Sequence, residues 1–508
     1  MQRTMLRRLA PPLLLALASP GLFVSTAGAA AGTDSTALRA GVSAGGIGEH
    51  LTALQRIANR NDGNRASGTS GYDASGAYVT EKLTAAGYRV TAQPFAFPFF
   101  EELAPTTFAQ TSPTPTTYTD ADFAIMEYSG SGVVTDRPVQ NVDLTLPPGT
   151  DANTSTSGCE ATDFAGFTAG NVALIQRGTC TFDAKARNAQ TAGASAVVIF
   201  NEGQPGRTEV LNGTLGGPGV TIPVLGTSYD AGAGLASTAS RVSISASTRS
   251  ETRHTTNYLA QTATGRTDRV VLVGAHLDSV PEGPGINDNG SGTAVVLEIA
   301  EQMAAQKVQP TNAVRFAFWG AEESGLLGAE YYVSQLSAGQ RKDIALNLNF
   351  DMMGSPNYVR FVYDGDGSDT GASGPTGSAT IEQVFNDYFA SQNLPVEPTA
   401  FDGRSDYGPF IANGIPAGGL FSGAEGVKTE AEAAVYGGTA GQAYDPCYHQ
   451  ACDDRKNIST KALEELGDAA AHATLTFAQT TSAVSGTDRT SGTIGSTDAD
   501  YQGHSLQR

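Results

Sequence analysis

Two patterns of apolar residues near the start of the chain predict helices followed by a strand. Residues 47–61 place their apolar side chains on one helical face, and a second helix is predicted over 74–86, where Gly87 ends it. Residues 88–97 alternate between apolar and polar side chains, as a half-buried strand does. Residues 103–120 are rich in Thr, Pro and Ser, a composition typical of a loop.

Beyond residue 269, apolar runs alternate with amphipathic stretches. The run at 270–275 is typical of a strand buried on both faces, and Ser291 is predicted to cap a helix that extends through Met303. Further strands are predicted over 313–319, 344–350 and 415–421. Strands that alternate with helices predict an α/β fold, with a mostly parallel, mixed sheet flanked by helices on both faces.

The middle of the chain differs, because its short apolar runs are separated by Gly, Pro and Asn. The runs at 171–176 and 196–200 predict strands, and a brief helix is predicted between them over 185–192. A small α+β domain inserted into a larger one would give this pattern. We predict the following division of the chain: 45–127 and 251–482 for the larger domain, 128–250 for the insert, and 483–508 for a polar, flexible tail.

The first 30 residues have the features of an export signal. Three arginines precede an apolar stretch at 9–24, and the small residues Ala27, Gly28 and Ala29 follow it. The alternative is a membrane anchor, but the stretch is short for a spanning helix and contains prolines. We therefore expect the signal to be cleaved, and the protein to be secreted without stable membrane association.

Charge and cysteine content narrow the function further. The chain has 51 acidic and 31 basic residues, a formal net charge of −20, which disfavours nucleic acid as a partner. Its four cysteines would form disulfides after export. Three pairings are open; we predict the local ones, Cys159–Cys180 and Cys447–Cys452, because each pair falls inside one predicted unit. Neither pair has the C-x2-C spacing of a zinc site.

Polar residues follow three of the predicted strands. His276 and Asp278 come after the first, Glu322 and Glu323 after the second, and Asp351 after the third. In open parallel sheets, ligands bind just outside the carboxyl ends of the strands. We therefore expect these side chains to converge on one crevice. Singly, each has an ordinary explanation, such as a buried histidine or a solvated turn, so the prediction rests on the set.

Two zinc ions would account for this set of residue types. Imidazole and carboxylate are zinc ligands, and paired zincs can share a carboxylate and a water. Asp288, in the glycine-rich segment GPGINDNGSG, is predicted to lie beside His276, and His449 would complete the set if DPCYHQACDD folds back. Asp278 could accept the second N–H of His276, and Glu322 could take a proton from water.

The motifs also occur in a recognisable order. GAHLDSV, GINDNGSGTA, FAFWGAEESGLLGA, NFDMMG, GRSDYGPF and YHQACD resemble the M28 family of zinc aminopeptidases, most closely its secreted bacterial members, over roughly residues 45–100 and 251–480. The resemblance implies a zinc-exopeptidase fold and two Zn²⁺ per chain. It implies that Asp288 bridges the two ions and that the remaining ligands are His276, Glu323, Asp351 and His449.

The same resemblance implies roles for the residues around the ligands. Glu322 would be the general base, Asp278 the partner of His276, and Tyr448 a residue that polarises the substrate carbonyl. Arg404 would lie near the amino end of the substrate, although a structural salt bridge explains it nearly as well. The implied substrates are peptides with a free N-terminus, and we expect a monomer. Calcium binding and the preferred N-terminal residue stay open.

The insert has a resemblance of its own. Residues 170–203, with Cys159 upstream, resemble a protease-associated domain, which implies a cover over the active site or a protein-binding unit rather than catalysis. A passive structural insert is the alternative. For the whole chain, the rival functions are a carboxypeptidase or a glutaminyl-cyclase-like enzyme of the same fold. A non-catalytic receptor-like protein is less favoured, because all five ligands and Glu322 are present.

Overall fold

The computed structural model describes residues 33–236 and 239–485. The predicted signal at 1–30 lies outside these residues, as does the tail after residue 485. Within the described ranges, no helix is both long enough and apolar enough to cross a membrane.

Helices and strands alternate through most of the described chain. The helices are α1 Thr36–Gly41, α2 Ala44–Arg60, α3 Ser70–Ala85, α4 Phe182–Thr191, α5 Tyr229–Ala236, α6 Gly290–Ala305, α7 Leu327–Ser334, α8 Ala338–Asp343, α9 Ser378–Ser391, α10 Gly408–Ala412, α11 Glu430–Tyr436, α12 Thr460–Gln479 and α13 Ser482–Ser485. The strands are β1 Arg89–Ser112, β2 Thr116–Thr117, β3 Phe123–Ile125, β4 Gly132–Val142, β5 Val172–Gln176, β6 Ala196–Phe200, β7 Val224–Thr227, β8 Arg241–Gln261, β9 Arg266–His276, β10 Asn312–Trp319, β11 Ile344–Phe350, β12 Phe361–Tyr363, β13 Glu397–Thr399 and β14 Ala417–Phe421.

The sheet of the larger domain is mixed and mostly parallel, which confirms the predicted fold class. Its central strands lie in the order β14-β11-β9-β10 and are parallel to one another. Strand β12 pairs antiparallel with β14 on one side, and β8 pairs antiparallel with β10 on the other. The carboxyl ends of β9, β10 and β11 therefore meet at one edge of the sheet.

Successive side chains of β9 enter two different apolar clusters, which explains its continuous apolar run. Val271 and Val273 pack in the cluster that includes side chains of α2, α3, α6, α9 and α12. Leu272 packs on the opposite face with Tyr332 of α7 and Phe410 of α10. Each face of the sheet is therefore covered by helices, as predicted, and the strands are held with little freedom.

A long antiparallel ribbon connects the two parts of the molecule. Strand β1 pairs with β8 from Arg89–Gln261 to Ser112–Arg241. The predicted loop over 103–120 is wrong up to Ser112, because these residues continue β1. Register shifts near Ala104 accommodate Pro105 within the ribbon, and pairing with β8 outweighs the local loop composition.

The strands of the insert continue the sheet beyond β8, with which β4 pairs antiparallel, and they surround apolar clusters of their own. Strands β4, β5, β6 and β7 are parallel neighbours, and β3 joins β7 antiparallel. Helix α4 begins three residues earlier than predicted, because the side chain of Thr181 accepts a hydrogen bond from the main chain of Ala184. The disulfide Cys159–Cys180 closes beside this helix, and Cys447–Cys452 forms in the larger domain, so both predicted pairings are confirmed.

The start of α6 corrects the predicted cap. Asn289, rather than Ser291, is the N-cap residue, and its side chain accepts a hydrogen bond from the N–H of Gly292 at 2.8 Å. The Ser291 hydroxyl accepts from the N–H of Met353 at 2.7 Å and donates to the carbonyl of Asn287 at 2.6 Å. Ser291 therefore joins the segment before α6 to the segment after β11.

Candidate metal centre

The sequence-predicted polar residues lie together at the carboxyl edge of the sheet. His276 is the last residue of β9, Asp351 follows β11 directly, and Glu322 and Glu323 follow β10 after a short turn. Within that turn Ala321 has φ +54°, so the chain reverses sharply. Nε2 of His276 lies 3.3 Å from Oδ1 of Asp351 and 3.9 Å from Oε2 of Glu322.

Asp288 lies at the centre of the cluster. Its Oδ1 atom is 3.3 Å from Nε2 of His276, and its Oδ2 atom is 3.2 Å from Nε2 of His449. The two oxygens of one carboxylate therefore face two histidines from different parts of the chain. A carboxylate in this arrangement can bridge two cations.

His449 arrives from a loop far along the sequence. It lies between Cys447 and Cys452, and its Nε2 atom is 3.1 Å from Oε2 of Glu323. Its ring stacks on that of Tyr448 with the centroids 3.8 Å apart, and its side chain is 35% exposed. His276 is 1% exposed, so the cluster extends from the protein interior to the surface.

The donor set fits zinc. Two imidazoles and three carboxylates are ligands that Zn²⁺ accepts. Ligand atoms of His276, Asp288 and Glu323 lie within 4.8 Å of one another, as do those of His276, Glu322 and Asp351. His449 reaches the first group through its contacts with Asp288 and Glu323. Oε1 of Glu323 and Oδ1 of Asp351 are buried and accept no hydrogen bond within the described chain. Buried carboxylate oxygens are costly without a partner, and a metal ion supplies one.

The charge balance of the cluster also favours a cation. Burial, together with the charge of Asp288, raises the pKa of Glu323 to about 7. Burial lowers the pKa of His449, but the hydrogen bonds to Asp288 and Glu323 outweigh it and raise that pKa to about 10. At neutral pH, His449 therefore carries a proton and Glu323 is partly protonated. A divalent cation that binds the cluster would displace these protons.

Glu322 differs from its neighbour Glu323 in its surroundings. Its main-chain N–H donates to Oδ1 of Asp278 at 3.3 Å. Burial raises the pKa of its carboxyl well above the usual range, and the charge of Asp406 adds to this against the lowering effect of His276. A carboxyl whose pKa is raised can accept a proton and return it.

Asp278 contacts His276 through both its main chain and its side chain. The main-chain carbonyl of Asp278 is 3.2 Å from Nδ1 of His276, and the carboxylate Oδ1 is 3.6 Å from the same nitrogen. The carbonyl is therefore the closer acceptor for the Nδ1 proton. With Nδ1 protonated, Nε2 is left as the nitrogen that faces the carboxylates.

Arg404 and Tyr448 lie beside each other at the edge of the cluster. Arg404 donates from Nη2 to the Tyr448 hydroxyl at 3.2 Å and forms an ion pair from Nη1 to Glu425 at 2.7 Å. Burial raises the pKa of Tyr448, so its phenol keeps its proton at neutral pH. Arg404 thus makes the salt bridge considered from sequence, and it also contacts the predicted carbonyl-polarising group.

Comparisons with known proteins give the family. Residues 257–474 match Peptidase family M28, and residues 141–235 match the PA domain. An aminopeptidase from Pseudomonas aeruginosa is 49% identical over 435 residues, which span 85% of this chain and 80% of that protein. The chain belongs to peptidase family M28.

Two further proteins are similar to this M28 peptidase over most of its length. A probable lipoprotein aminopeptidase from Mycobacterium tuberculosis is 41% identical over 461 residues, spanning 89% of this chain and 88% of that protein. The structure of a zinc aminopeptidase from Bacillus subtilis matches 85% of this chain and 94% of its own, with a TM-score of 0.53 and 25% identity. The predicted family, fold class and peptidase activity are confirmed.

The M28 peptidase has an open pocket of about 250 Å³ beside the cluster. The lining includes the predicted ligands, Glu322, Tyr448 and Arg404. Its apolar walls include the following side chains: Met352, Phe361, Tyr363, Phe421 and Tyr444. A substrate side chain that enters this pocket would meet these apolar and aromatic groups together with the charged side chains of Asp402, Arg404 and Glu425.

Ser405 supports the cluster and Asp406 is buried beside Ser405, although the sequence predicted no role for either residue. The Ser405 hydroxyl donates to Oδ2 of Asp351 at 2.5 Å, which leaves Oδ1 directed toward His276. Asp406 is fully buried, and neither of its carboxylate oxygens has a hydrogen-bond partner in the described part of the chain. Both residues directly follow Arg404 in GRSDYGPF, and this position is the sequence signal for them.

Arg65 and Asp453 also contact the segment around Asp288, and the sequence predicted no role for either. The buried guanidinium of Arg65 donates to the carbonyls of Leu277, Pro284 and Gly285. Asp453 accepts hydrogen bonds from main-chain N–H groups of the segment that carries Asp288. The only sequence signal for Asp453 was its place after Cys452 in YHQACD, and Arg65 had none, since it lies in a loop before α3.

A second acidic group bears on the open question of calcium. Oxygen atoms of Asp364, Asp366 and Glu382 lie near one another. However, Asp364 already accepts hydrogen bonds from the N–H groups of Gly367, Asp369 and Thr370, and Glu382 accepts one from Gly365. These contacts explain the group as a loop-stabilising arrangement, and calcium is not assigned to it.

Proposed function

We propose that this M28 peptidase is a secreted aminopeptidase that holds two zinc ions and removes N-terminal residues from peptides. One observation carries the proposal: the two oxygens of Asp288 face His276 and His449, at 3.3 and 3.2 Å. The distances also indicate which of the two zinc ions each remaining ligand would bind. Asp351 would join His276 at one zinc, and Glu323 would join His449 at the other.

The reaction follows from the chemistry of the side chains. When bound, the two zinc ions would polarise the scissile carbonyl and make a water acidic enough to lose a proton near neutral pH. Glu322 would accept that proton and later transfer it to the nitrogen of the leaving peptide. The Tyr448 hydroxyl would donate a hydrogen bond to the carbonyl oxygen as negative charge develops there.

The free amino group of the substrate explains why the enzyme would act at the N-terminus. The carboxylates of Glu322 and Asp351 lie together near His276 and line the pocket. They would attract an ammonium group, whereas a blocked N-terminus has no charge to offer. The adjacent apolar walls, among them Met352, Phe361 and Phe421, would favour an apolar N-terminal residue such as leucine.

Hydrolysis of aminoacyl anilides tests this function. We expect leucyl and phenylalanyl anilides to be cleaved faster than glycyl or aspartyl anilides, and N-acetyl-leucyl anilide to be resistant. Equal cleavage of the acetylated substrate would contradict an aminopeptidase. Cleavage of peptides from the C-terminus would instead support the carboxypeptidase alternative.

Zinc stoichiometry provides an independent test. We expect the purified protein to hold two zinc ions per chain when measured by atomic emission, and to lose activity when a chelator removes them. A single zinc ion per chain with cyclisation of N-terminal glutamine would support the glutaminyl-cyclase-like alternative.

Secretion is proposed from the features of residues 1–30 and is compatible with the two disulfides. The Mycobacterium tuberculosis relative is named as a lipoprotein, so retention at the outer face of the membrane is the second candidate. Fractionation of a culture into medium, membrane and cytoplasm distinguishes them. Aminopeptidase activity in the medium supports secretion, whereas activity retained on membranes until detergent is added supports an anchor.

A further inference from the structure

One buried carboxylate joins two loops of the candidate metal centre. Asp453 accepts a hydrogen bond from the N–H of Asn287 at 2.8 Å through Oδ1, and from the N–H of Asp288 at 3.0 Å through Oδ2. Its own main-chain carbonyl accepts from the N–H of Ile286 at 3.0 Å. Three successive residues that lead to Asp288 are therefore attached to Asp453.

Asp453 belongs to the other ligand-bearing loop. It directly follows Cys452, whose disulfide with Cys447 encloses Tyr448 and His449. Its N–H donates to the carbonyl of Gln450 at 3.0 Å, within the same loop. Asp453 thus connects the loop of His449 to the segment of Asp288 by a route that involves no ligand atom.

The environment of Asp453 leaves it little freedom. The residue is 1% exposed, and Nδ2 of Asn457 donates to its Oδ1 at 3.2 Å. A carboxylate has two oxygens that each accept, which matches two successive main-chain N–H groups. Asparagine has only one such oxygen, and its NH₂ group would oppose the second N–H.

We propose that Asp453 is a positioning residue that sets the distance between Asp288 and His449. This inference rests on the proposed two-zinc function. The 3.2 Å separation between Asp288 Oδ2 and His449 Nε2 joins segments that are far apart in sequence, so local structure does not hold it. The paired hydrogen bonds from Asn287 and Asp288 to Asp453 hold it instead. Asp445 adds a second link, since its carboxylate accepts from the side chain of Asn287 at 2.6 Å and from the N–H of Cys447 at 2.8 Å.

Asp453→Asn is the test variant. We expect its zinc affinity to fall about 10- to 100-fold, the range found for residues that orient metal ligands. Zinc affinity is measured from bound zinc at free concentrations set by a chelator buffer. At saturating zinc we expect kcat to fall while KM stays near the wild-type value, since the pocket walls are unchanged. The melting temperature of the zinc-free protein should change little.

Two further variants separate positioning from charge and from folding. Asp454→Asn removes the neighbouring charge, but its oxygen can still accept from the N–H of Lys456, so wild-type zinc affinity is expected. Asn457→Ala keeps the charge of Asp453 and removes the hydrogen bonds of Asn457 to Asp453 and Asp445, so a smaller loss of affinity in the same direction is expected. If Asp453→Asn does not fold, Asn457→Ala carries the test.

The outcomes are distinct. Zinc affinity and kcat of Asp453→Asn within twofold of wild type would overturn the inference, as would a loss confined to the melting temperature of the zinc-free protein. An equal loss in Asp454→Asn would show a general charge effect and overturn it too. If the wild-type protein itself binds no zinc or cleaves no free N-terminus, the proposed function fails instead.

Discussion

Oδ2 of Asp288 lies 3.2 Å from Nε2 of His449. Asp288 precedes α6, whereas His449 lies in a loop that follows β14, the last strand of the sheet in sequence order. The two side chains meet because this loop folds back over the carboxyl edge of the sheet. Their contact links the N-terminal and C-terminal halves of the proposed metal site.

Removal of His449 should therefore weaken zinc binding strongly. We expect His449→Gln to lower zinc affinity by more than about 100-fold, the upper range for residues that merely support a ligand, and to lower activity in parallel. Equilibrium dialysis with atomic emission measures the zinc. His254→Gln is the control, since His254 is exposed on β8, and it should behave as wild type. Unchanged zinc binding in His449→Gln would exclude His449 as a ligand.

Glu322 is expected to act on protons rather than on zinc content. In Glu322→Gln, kcat should fall about 10²- to 10⁴-fold, the usual contribution of a general acid–base group. Steady-state hydrolysis of leucyl anilide measures the loss, and zinc content and circular dichroism should match wild type. Glu282→Gln, at an exposed glutamate in the segment between β9 and α6, serves as the control. Near wild-type turnover by Glu322→Gln would show that another group accepts the proton.

The two disulfides should have different effects when removed. Cys159 and Cys180 lie in the insert, and their bridge closes a loop of the length for which chain entropy predicts about 3 kcal/mol of stabilisation. We expect their joint replacement by serine to lower the free energy of unfolding by about that amount, without changing kcat/KM. Urea denaturation followed by circular dichroism measures the first quantity.

Joint replacement of Cys447 and Cys452 by serine should act mainly on the site. The bridge encloses Tyr448 and His449, so its loss should lower zinc affinity and kcat more than it lowers stability. The insert variant described above is the matched control, because it also loses one disulfide. Equal kcat values for the two variants would contradict this assignment.

His50 should make stability depend on pH. Its ring is 2% exposed and contacts Glu298 of α6 at 3.0 Å, Glu301 of α6 at 3.2 Å and the Tyr78 hydroxyl of α3 at 2.7 Å. Lys82 of α3 lies 3.2 Å from Glu301. Burial lowers the pKa of His50, but the two glutamates outweigh it and raise that pKa above its usual value.

A raised pKa in the folded state gives the direction of the effect. The contribution of His50 is fully present below the unfolded pKa of about 6.5 and is lost as the pH rises through the folded pKa. His50→Gln should thus cost about 3–5 kcal/mol near pH 6, and less at higher pH, by urea denaturation.

His472→Gln is a control with the opposite trend. Burial, with a contribution from Arg39, lowers the pKa of His472, so its contribution is present above pH 6.5 and is lost as the pH falls through the folded pKa. The stability difference between this variant and wild type should therefore shrink toward low pH. A pH-independent difference for His50→Gln would mean that His50 is not charged in the folded protein.

The local part of the fold could be predicted from the sequence. The run at 270–275 and the strands at 313–319 and 344–350 stand out because a strand buried on both faces requires apolar residues at successive positions. Once those strands were predicted to be parallel, His276, Glu323 and Asp351 had to lie at the same edge. Pairing with β8 decided residues 103–112 instead, because hydrogen bonds to a distant strand outweighed a local composition typical of a loop.

The sequence by itself determined the strands, the polar residues at their ends and the family resemblance, because these depend on neighbouring residues and on motifs. Only the tertiary structure decided which oxygen of Asp288 faces which histidine, and that Arg65 and Asp453 hold the segment around Asp288. These contacts join residues from loops far apart in the chain. Loops have no periodicity, so their contacts are decided when the folded sheet brings them together.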